Sequence, residues 1–411
     1  MKETLLIIVA FYLVQFASAA RIHFDNNSCK TYLDYFTRSV NKNCYHNDFL
    51  YLQTPQILDK RKIPYENHTV ITEDGYILTV FRILKENPKD VIVMLHPIVQ
   101  DSTSWFLGDN GSYVDRFLEA GYELWLLNFR GTTYSDKHIA NLPPAQYWDF
   151  SFHEIGLYDF SAVFRYINNI TNTKLIAFSF SLGSSASSVY ASEKPEEAKQ
   201  LIKLFIAMAV PDFLRDSKTL LRVLIPFVPL LKAITRILGI YAFFDNFRLI
   251  TYLLTNIVLL FNLESLVALT AVPFVGGSFF SINPRLIPIG TSTTPEATSV
   301  KTLEHYVQLF DNKFLQFDYG RKKNLAVYGT EEPPKYRIEN INVPFHIILG
   351  ESDILANKKG ILLLYSKLPD IAKTYGYFEV PGCSHADFLI GKTQPAIAQK
   401  HILELLEKFN A

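Results

Sequence analysis

The serine at the centre of Phe178-Ser179-Phe180-Ser181-Leu182-Gly183-Ser184 has the neighbours that nucleophilic catalysis needs. Where a strand runs straight into a helix through small-x-Ser-x-Gly, the turn leaves no room for bulk two residues before or after the serine. The strained serine then projects its hydroxyl above the carboxyl edge of the sheet. Ser181 meets this rule, with Ser179 and Gly183 at the crowded positions. A serine hydroxyl becomes a nucleophile when a histidine takes its proton and a carboxylate fixes that imidazole's tautomer. Downstream, Gly350-Glu351-Ser352-Asp353 follows an apolar run at 345–349, and Pro381-Gly382-Cys383-Ser384-His385 follows another at 377–380. Asp353 and His385 thus complete the order Ser, acid, His, each just past a strand. Glu351 and Asp387 are the runner-up acids, and Asp387 stands too close to His385 in sequence to be preferred. Acyl transfer also needs donors for a tetrahedral oxyanion. The N–H of Leu182, next to the nucleophile, is one candidate. The loop His96-Pro97-Ile98-Val99-Gln100 supplies the other, and since Pro97 has no N–H, the candidate is Ile98.

These residues need a frame. Residues 67–72 and 76–84 are β-rich and separated by Glu73-Asp74-Gly75, which predicts a hairpin. Strands are expected at 90–95, 122–128, 174–178, 203–210, 343–350 and 377–380. Helices are expected at 113–120, 154–168, 184–192, 358–368 and 397–409. Strands alternating with helices predict a mostly parallel, doubly wound α/β sheet. Between residues 219 and 280 only Arg222, Lys232, Arg236, Asp245, Arg248 and Glu264 carry charge. Apolar helices over 220–238 and 249–260 are expected there, and the charges interrupt any run long enough to span a membrane. The boundaries drawn are 20–211 and 336–411 for two parts of one core, with 212–335 an apolar cap inserted between them.

The chain has 411 residues, 49% of them hydrophobic and 19% charged, with 40 Lys and Arg against 40 Asp and Glu. Low charge and 32 Phe exclude a disordered chain, and zero net charge provides no electrostatic footprint for nucleic acid. A charged start, an apolar run and Ala17-Ser18-Ala19 predict a signal peptide at 1–19, hence secretion and no membrane anchor after cleavage. Sequons at Asn26, Asn67, Asn110 and Asn169 are then candidate glycosylation sites on surface loops. Cys29 and Cys44 are close enough in sequence to pair, leaving Cys383 free. The remaining histidines show no metal-ligand spacing.

Taken together, these segments resemble the acid lipase family of gastric and lysosomal type. The stretches that carry the resemblance include Thr72-Glu73-Asp74-Gly75-Tyr76, Asn128-Phe129-Arg130-Gly131-Thr132, Tyr147-Trp148-Asp149-Phe150-Ser151, Pro295-Glu296-Ala297-Thr298-Ser299 and Pro333-Pro334-Lys335-Tyr336. The resemblance implies an α/β-hydrolase fold with a helical cap and lid, hydrolysis of lipid carboxylic esters, and no metal or organic cofactor. It implies Ser181 as nucleophile, Asp353 as acid, His385 as base, and Ile98 and Leu182 as oxyanion donors. The expected partner is a lipid ester or a lipid–water interface, and the expected location is extracellular or the lysosomal lumen. Three departures stand out. The family reads Gly-His-Ser-Gln-Gly where this chain has Ser179-Phe180-Ser181-Leu182-Gly183, Gly where it has Pro97, and Asn-His-Leu-Asp where it has Ser384-His385-Ala386-Asp387. They keep open a second expectation, a weakened homologue that binds or carries lipid. An esterase for small soluble esters is a third, which the large apolar insertion disfavours.

Overall fold

In the computed structural model, which describes residues 26–108, 111–276 and 278–410, a nine-stranded sheet carries the core. Its antiparallel edge is the hairpin of β1 (Tyr65–Ile71) and β2 (Tyr76–Ile83). Gly75 in the connecting turn has φ +93°, a conformation that L side chains resist. The other long strands are β3 (Val91–Leu95), β4 (Glu123–Leu127), β5 (Leu175–Phe180), β6 (Ile202–Met208), β7 (Phe345–Gly350) and β8 (Tyr377–Val380). Their order in space is β8-β7-β6-β5-β3-β4-β2-β1, and a short strand, Lys137–His138, pairs with β2. Pairing is parallel from β8 through to β4, then antiparallel between β4 and β2. Parallel strands require crossover helices that cover both faces, so their interior strands must be apolar throughout. Accordingly, every residue of β3, β5 and β7 is buried.

The helices around this sheet are α1 (Tyr113–Glu119), α2 (Ser161–Thr171) and α3 (Leu182–Glu193), with others after the insertion. The helix expected over 154–168 is not continuous. A helical turn, Phe152–Glu154, passes through a π-helical segment, Ile155–Phe160, before α2 begins. Within that segment Gly156 lies against α3, where a Cβ would come within 2.6 Å of the Ala186 carbonyl oxygen. The insertion between β6 and β7 contains α4 (Val228–Leu238), α5 (Arg248–Phe261), α6 (Glu264–Val275) and α7 (Val300–Gln308). The helix expected over 220–238 breaks at Ile225–Phe227, because Pro226 has no N–H to continue the ladder. α6 went unpredicted: its apolar residues fall all round the axis, so it shows no helical period. After β7 come α8 (Lys358–Lys367) and the C-terminal α9 (Gln394–Asn410).

Leu230, Ile237 and Leu238 on α4 and Leu260 and Phe261 on α5 are exposed, so the insertion shows an apolar outer surface. Among the described residues no helix is long and apolar enough to cross a membrane. Cys29 and Cys44 form a disulfide, and Cys383 is free and buried. The disulfide closes a small N-terminal unit that packs on the insertion, where the Tyr35 hydroxyl donates to the Pro284 carbonyl at 2.8 Å. The expected signal segment 1–19 and Asn110 lie outside the described residues. Asn67 and Asn169 are exposed but not on loops: they stand on the edge strand β1 and in α2. An N-x-S/T triplet requires only exposure, which the outer side of an edge strand or helix also provides. Asn26 is half-buried, and its amide donates to the Arg38 carbonyl at 2.8 Å.

Candidate active site

The parallel strands deliver their loops to one edge of the sheet. β5 ends at Phe180 and α3 begins at Leu182, so Ser181 alone makes the turn, at φ +52° and ψ −110°. This is a left-handed conformation that costs a non-glycine residue roughly 1–3 kcal/mol and persists only when the surroundings enforce it. Enforcement is visible on both sides. A Cβ at Gly183 would lie 2.4 Å from the Leu95 carbonyl oxygen, so only glycine fits there. At the other crowded position Ser179 is tolerated because its hydroxyl is absorbed. It donates to the Ile206 carbonyl (3.4 Å), and Ser184 Oγ sits 3.1 Å from it and 2.9 Å from the Met208 carbonyl.

The loop after β7 brings Asp353, and the loop after β8 brings His385, to this serine. His385 Nδ1–H donates to Asp353 Oδ2 at 2.8 Å, which leaves Nε2 free to accept the Ser181 hydroxyl proton at 2.9 Å. Asp353 Oδ1 accepts the N–H groups of Leu355 (2.8 Å) and Ala356 (2.9 Å), which fixes the carboxylate. All three side chains are nearly buried, at 3%, 5% and 6% exposure for Ser181, Asp353 and His385. The Phe180 ring packs against the imidazole with centroids 5.1 Å apart. The runner-up acids point elsewhere. Glu351 accepts the Gly382 N–H at 2.7 Å, and Asp387 accepts the Ser384 N–H (3.0 Å) and hydroxyl (2.7 Å). Both therefore brace the loop that carries His385, a role the sequence reading missed. The Cys383 thiol is pushed up chiefly by burial, then by the nearby Asp387 and Asp353 charges, so it stays protonated beside the histidine.

On the opposite side lies the loop after β3. His96 is buried and stacked on Phe129; burial lowers its imidazole to about 4, so it is neutral. Its Nε2 accepts the Phe129 N–H at 3.1 Å, and its Nδ1–H donates to the Pro97 carbonyl at 2.9 Å. Because a peptide unit is planar, holding the Pro97 oxygen also sets the direction of the Ile98 N–H. Leu182 is the first residue of α3, where an N–H has no intrahelical acceptor and the helix dipole is positive. Ile98 and Ser181 share one apolar cavity of about 270 Å³ with Pro211, Leu214 and Tyr306, lined on the side of the insertion by Leu231 and Phe243. A larger cleft of about 450 Å³, lined by Lys137, His138, Trp148 and Arg248, contains none of these groups. Among the described residues no three His, Cys, Asp or Glu side chains are grouped to hold a metal ion.

Residues 54–109 match the family model for a partial alpha/beta-hydrolase lipase region. The chain is 30% identical to the human gastric triacylglycerol lipase over 361 residues, covering 84% of this chain and 88% of that one. It is 29% identical to the rat lysosomal acid lipase/cholesteryl ester hydrolase over 363 residues, covering 84% and 89%. Among solved structures, a thermophilic esterase from Thermogutta terrifontis superposes with a TM-score of 0.50 at 11% identity, covering 84% of this chain and all of that one, a likeness of fold. With that extent of similarity over most of its length, the chain belongs to the acid lipase family and has the α/β-hydrolase fold.

Proposed function

We propose that this protein is a secreted lipase that hydrolyses carboxylic esters of lipids, triacylglycerol or sterol ester, through an acyl-enzyme on Ser181. The observation that carries the reading is the unbroken chain of hydrogen bonds from Ser181 through His385 to Asp353, opening on an apolar cavity. His385 Nε2 takes the proton as Ser181 Oγ attacks the ester carbonyl, and Asp353 holds the imidazole and stabilises its cation. The N–H groups of Leu182 and Ile98 receive the oxyanion. The alcohol leaves with the proton from His385, and water then attacks the acyl-enzyme with His385 as base again. The apolar cavity takes acyl chain, and residues 212–335 form the cap over a core built from 20–211 and 336–411. The lipid relatives support this substrate class. The signal-like residues 1–19, the Cys29–Cys44 disulfide, and exposed Asn67 and Asn169 support an extracellular or lysosomal compartment.

Ser181→Ala tests the reading. It should abolish release of fatty acid from emulsified long-chain triacylglycerol while the thermal transition stays near that of the wild type. A fluorophosphonate should label the wild type stoichiometrically at Ser181. Tight fatty-acid binding without labelling would instead identify a lipid carrier.

A further inference from the structure

Val99 has φ +53°, in the left-handed region, which is unfavourable for a β-branched residue. It follows Ile98 directly, so a hold on Val99 constrains the Ile98 backbone from one side, as the His96 hold on the Pro97 carbonyl does from the other. The hold comes from the cap side. The Glu296 N–H donates to the Val99 carbonyl at 2.8 Å. The Glu296 carboxylate, 4% exposed, is anchored on the core, accepting the Thr133 N–H at 2.9 Å and its hydroxyl at 2.7 Å. Its second oxygen lies 3.5 Å from Arg248 Nη2. Arg248 is the first residue of α5 and also reaches Gln53 Oε1 at 3.2 Å. A second buried carboxylate, Asp101, stands two residues beyond Val99. Its Oδ1 accepts the Thr103 N–H at 2.7 Å, and its Oδ2 lies 4.0 Å from the same guanidinium.

We propose that Glu296 and Arg248 are positioning residues for the oxyanion: Glu296 holds the strained Val99 turn, and Arg248 couples that hold to cap helix α5. The proposal rests on the reading of Ser181 as nucleophile and Ile98 as oxyanion donor. Electrostatics explain why an arginine stands there. Two buried acids side by side repel, and Arg248 offsets both. Burial first, and Glu296 next, push Asp101 up to about 7. Tyr134, whose ring lies 5.7 Å from the Arg248 guanidinium, is a further titratable side chain facing this group, and burial keeps its hydroxyl protonated. The coupling gives cap and oxyanion loop a shared contact, so a shift of α5 is felt at Val99.

The test uses the full secreted chain and a soluble short-chain ester, which removes any effect of adsorption to lipid. Turnover is counted per site labelled at Ser181 by a fluorophosphonate, so misfolded molecules do not contribute. Glu296→Ala should lower kcat about 10-fold or more with KM within about 2-fold, since the loss falls on the transition state. Glu296→Gln, which keeps an acceptor for Thr133, should retain kcat to within about 3-fold. Arg248→Ala should lower kcat at pH 8 and approach the wild type at pH 5, where a proton on Asp101 relieves the repulsion. Arg248→Lys should restore most of the loss. Adding Arg248→Ala to Glu296→Ala should change kcat by less than about 2-fold, because Arg248 acts through Glu296. Wild-type kcat per labelled site in Glu296→Ala and in Arg248→Ala at pH 8 overturns the proposal, even if fewer molecules label, since that marks a purely structural role. Absence of labelling in the wild type overturns the Ser181 reading itself.

Discussion

Three carboxylates lie near His385, and the hydrogen bonds separate their roles. Asp353 bonds Nδ1 directly, whereas Glu351 and Asp387 bond the backbone of the loop. Asp353→Asn should therefore lower kcat about 10⁴-fold with the fold intact, because an amide favours the wrong imidazole tautomer. Glu351→Gln, by contrast, should lower it by less than about 10-fold. If steady-state assays rank the two the other way, the assignment of Asp353 as orienting acid fails. The elbow makes a sharper steric prediction. Gly183→Ala must displace the Leu95 carbonyl, at a cost of about 1–3 kcal/mol by the usual scale of overpacking. Because β3 leads into the loop with Ile98, activity should fall along with the melting temperature.

Among the elements, α4 combines two duties that ordinary surface helices do not. It lines the apolar cavity on one side with Val228, Leu231 and Thr235 and exposes Leu230, Ile237 and Leu238 on the other. Burying such side chains in an apolar phase is worth roughly 1.5–3 kcal/mol each. Replacing Ile237 and Leu238 with Ser should therefore weaken adsorption to a triacylglycerol emulsion about 10-fold or more while leaving turnover of a soluble short-chain ester unchanged. Sedimentation with the emulsion reads the first quantity and a spectrophotometric ester assay the second. Equal adsorption by variant and wild type would remove the outer face of α4 from the interface.

At the scale of the whole molecule, the buried ionisable groups set how stability varies with pH. Burial pushes Asp212 and Glu264 up to about 7 and Asp159 to about 6. Each such carboxyl binds its proton more tightly folded than unfolded. Its contribution is fully present below the unfolded value near pH 4 and is lost as pH rises through the folded value, about 6 for Asp159 and about 7 for Asp212 and Glu264. His96 and His346, lowered to about 4 by burial, act in the opposite sense: their contribution is present above about pH 6.5 and lost as pH falls through about 4. Asp212→Asn removes one titration from the first set. Its melting temperature relative to the wild type should rise by at least about 3 °C between pH 5 and pH 8. A constant difference across that range would show that Asp212 does not titrate there.

Much of this was legible along the chain because local rules are strict. The βαβ order and apolar runs such as Val91–Leu95 announce strands buried on both faces, and small-x-Ser-x-Gly admits few other backbones. The spacing of Ser181, Asp353 and His385 named the candidates because loops at one edge of a parallel sheet must converge. What remained illegible depends on contacts between residues distant in sequence. α6 has no periodic face, so only its packing against α5 and the helix at Ile287–Thr293 defines it. The choice among Glu351, Asp353 and Asp387 turned on which carboxylate reaches Nδ1, a matter of ångströms between loops. Likewise, Glu296 stands 197 residues from Val99, and no local pattern foretells that its N–H closes on that carbonyl. Sequence alone determined the chemistry-bearing residue types and the frame that orders them, because those follow from backbone sterics and hydrophobic period. Tertiary structure alone decided which groups touch, since hydrogen bonding and desolvation act through space and fall away within a few ångströms.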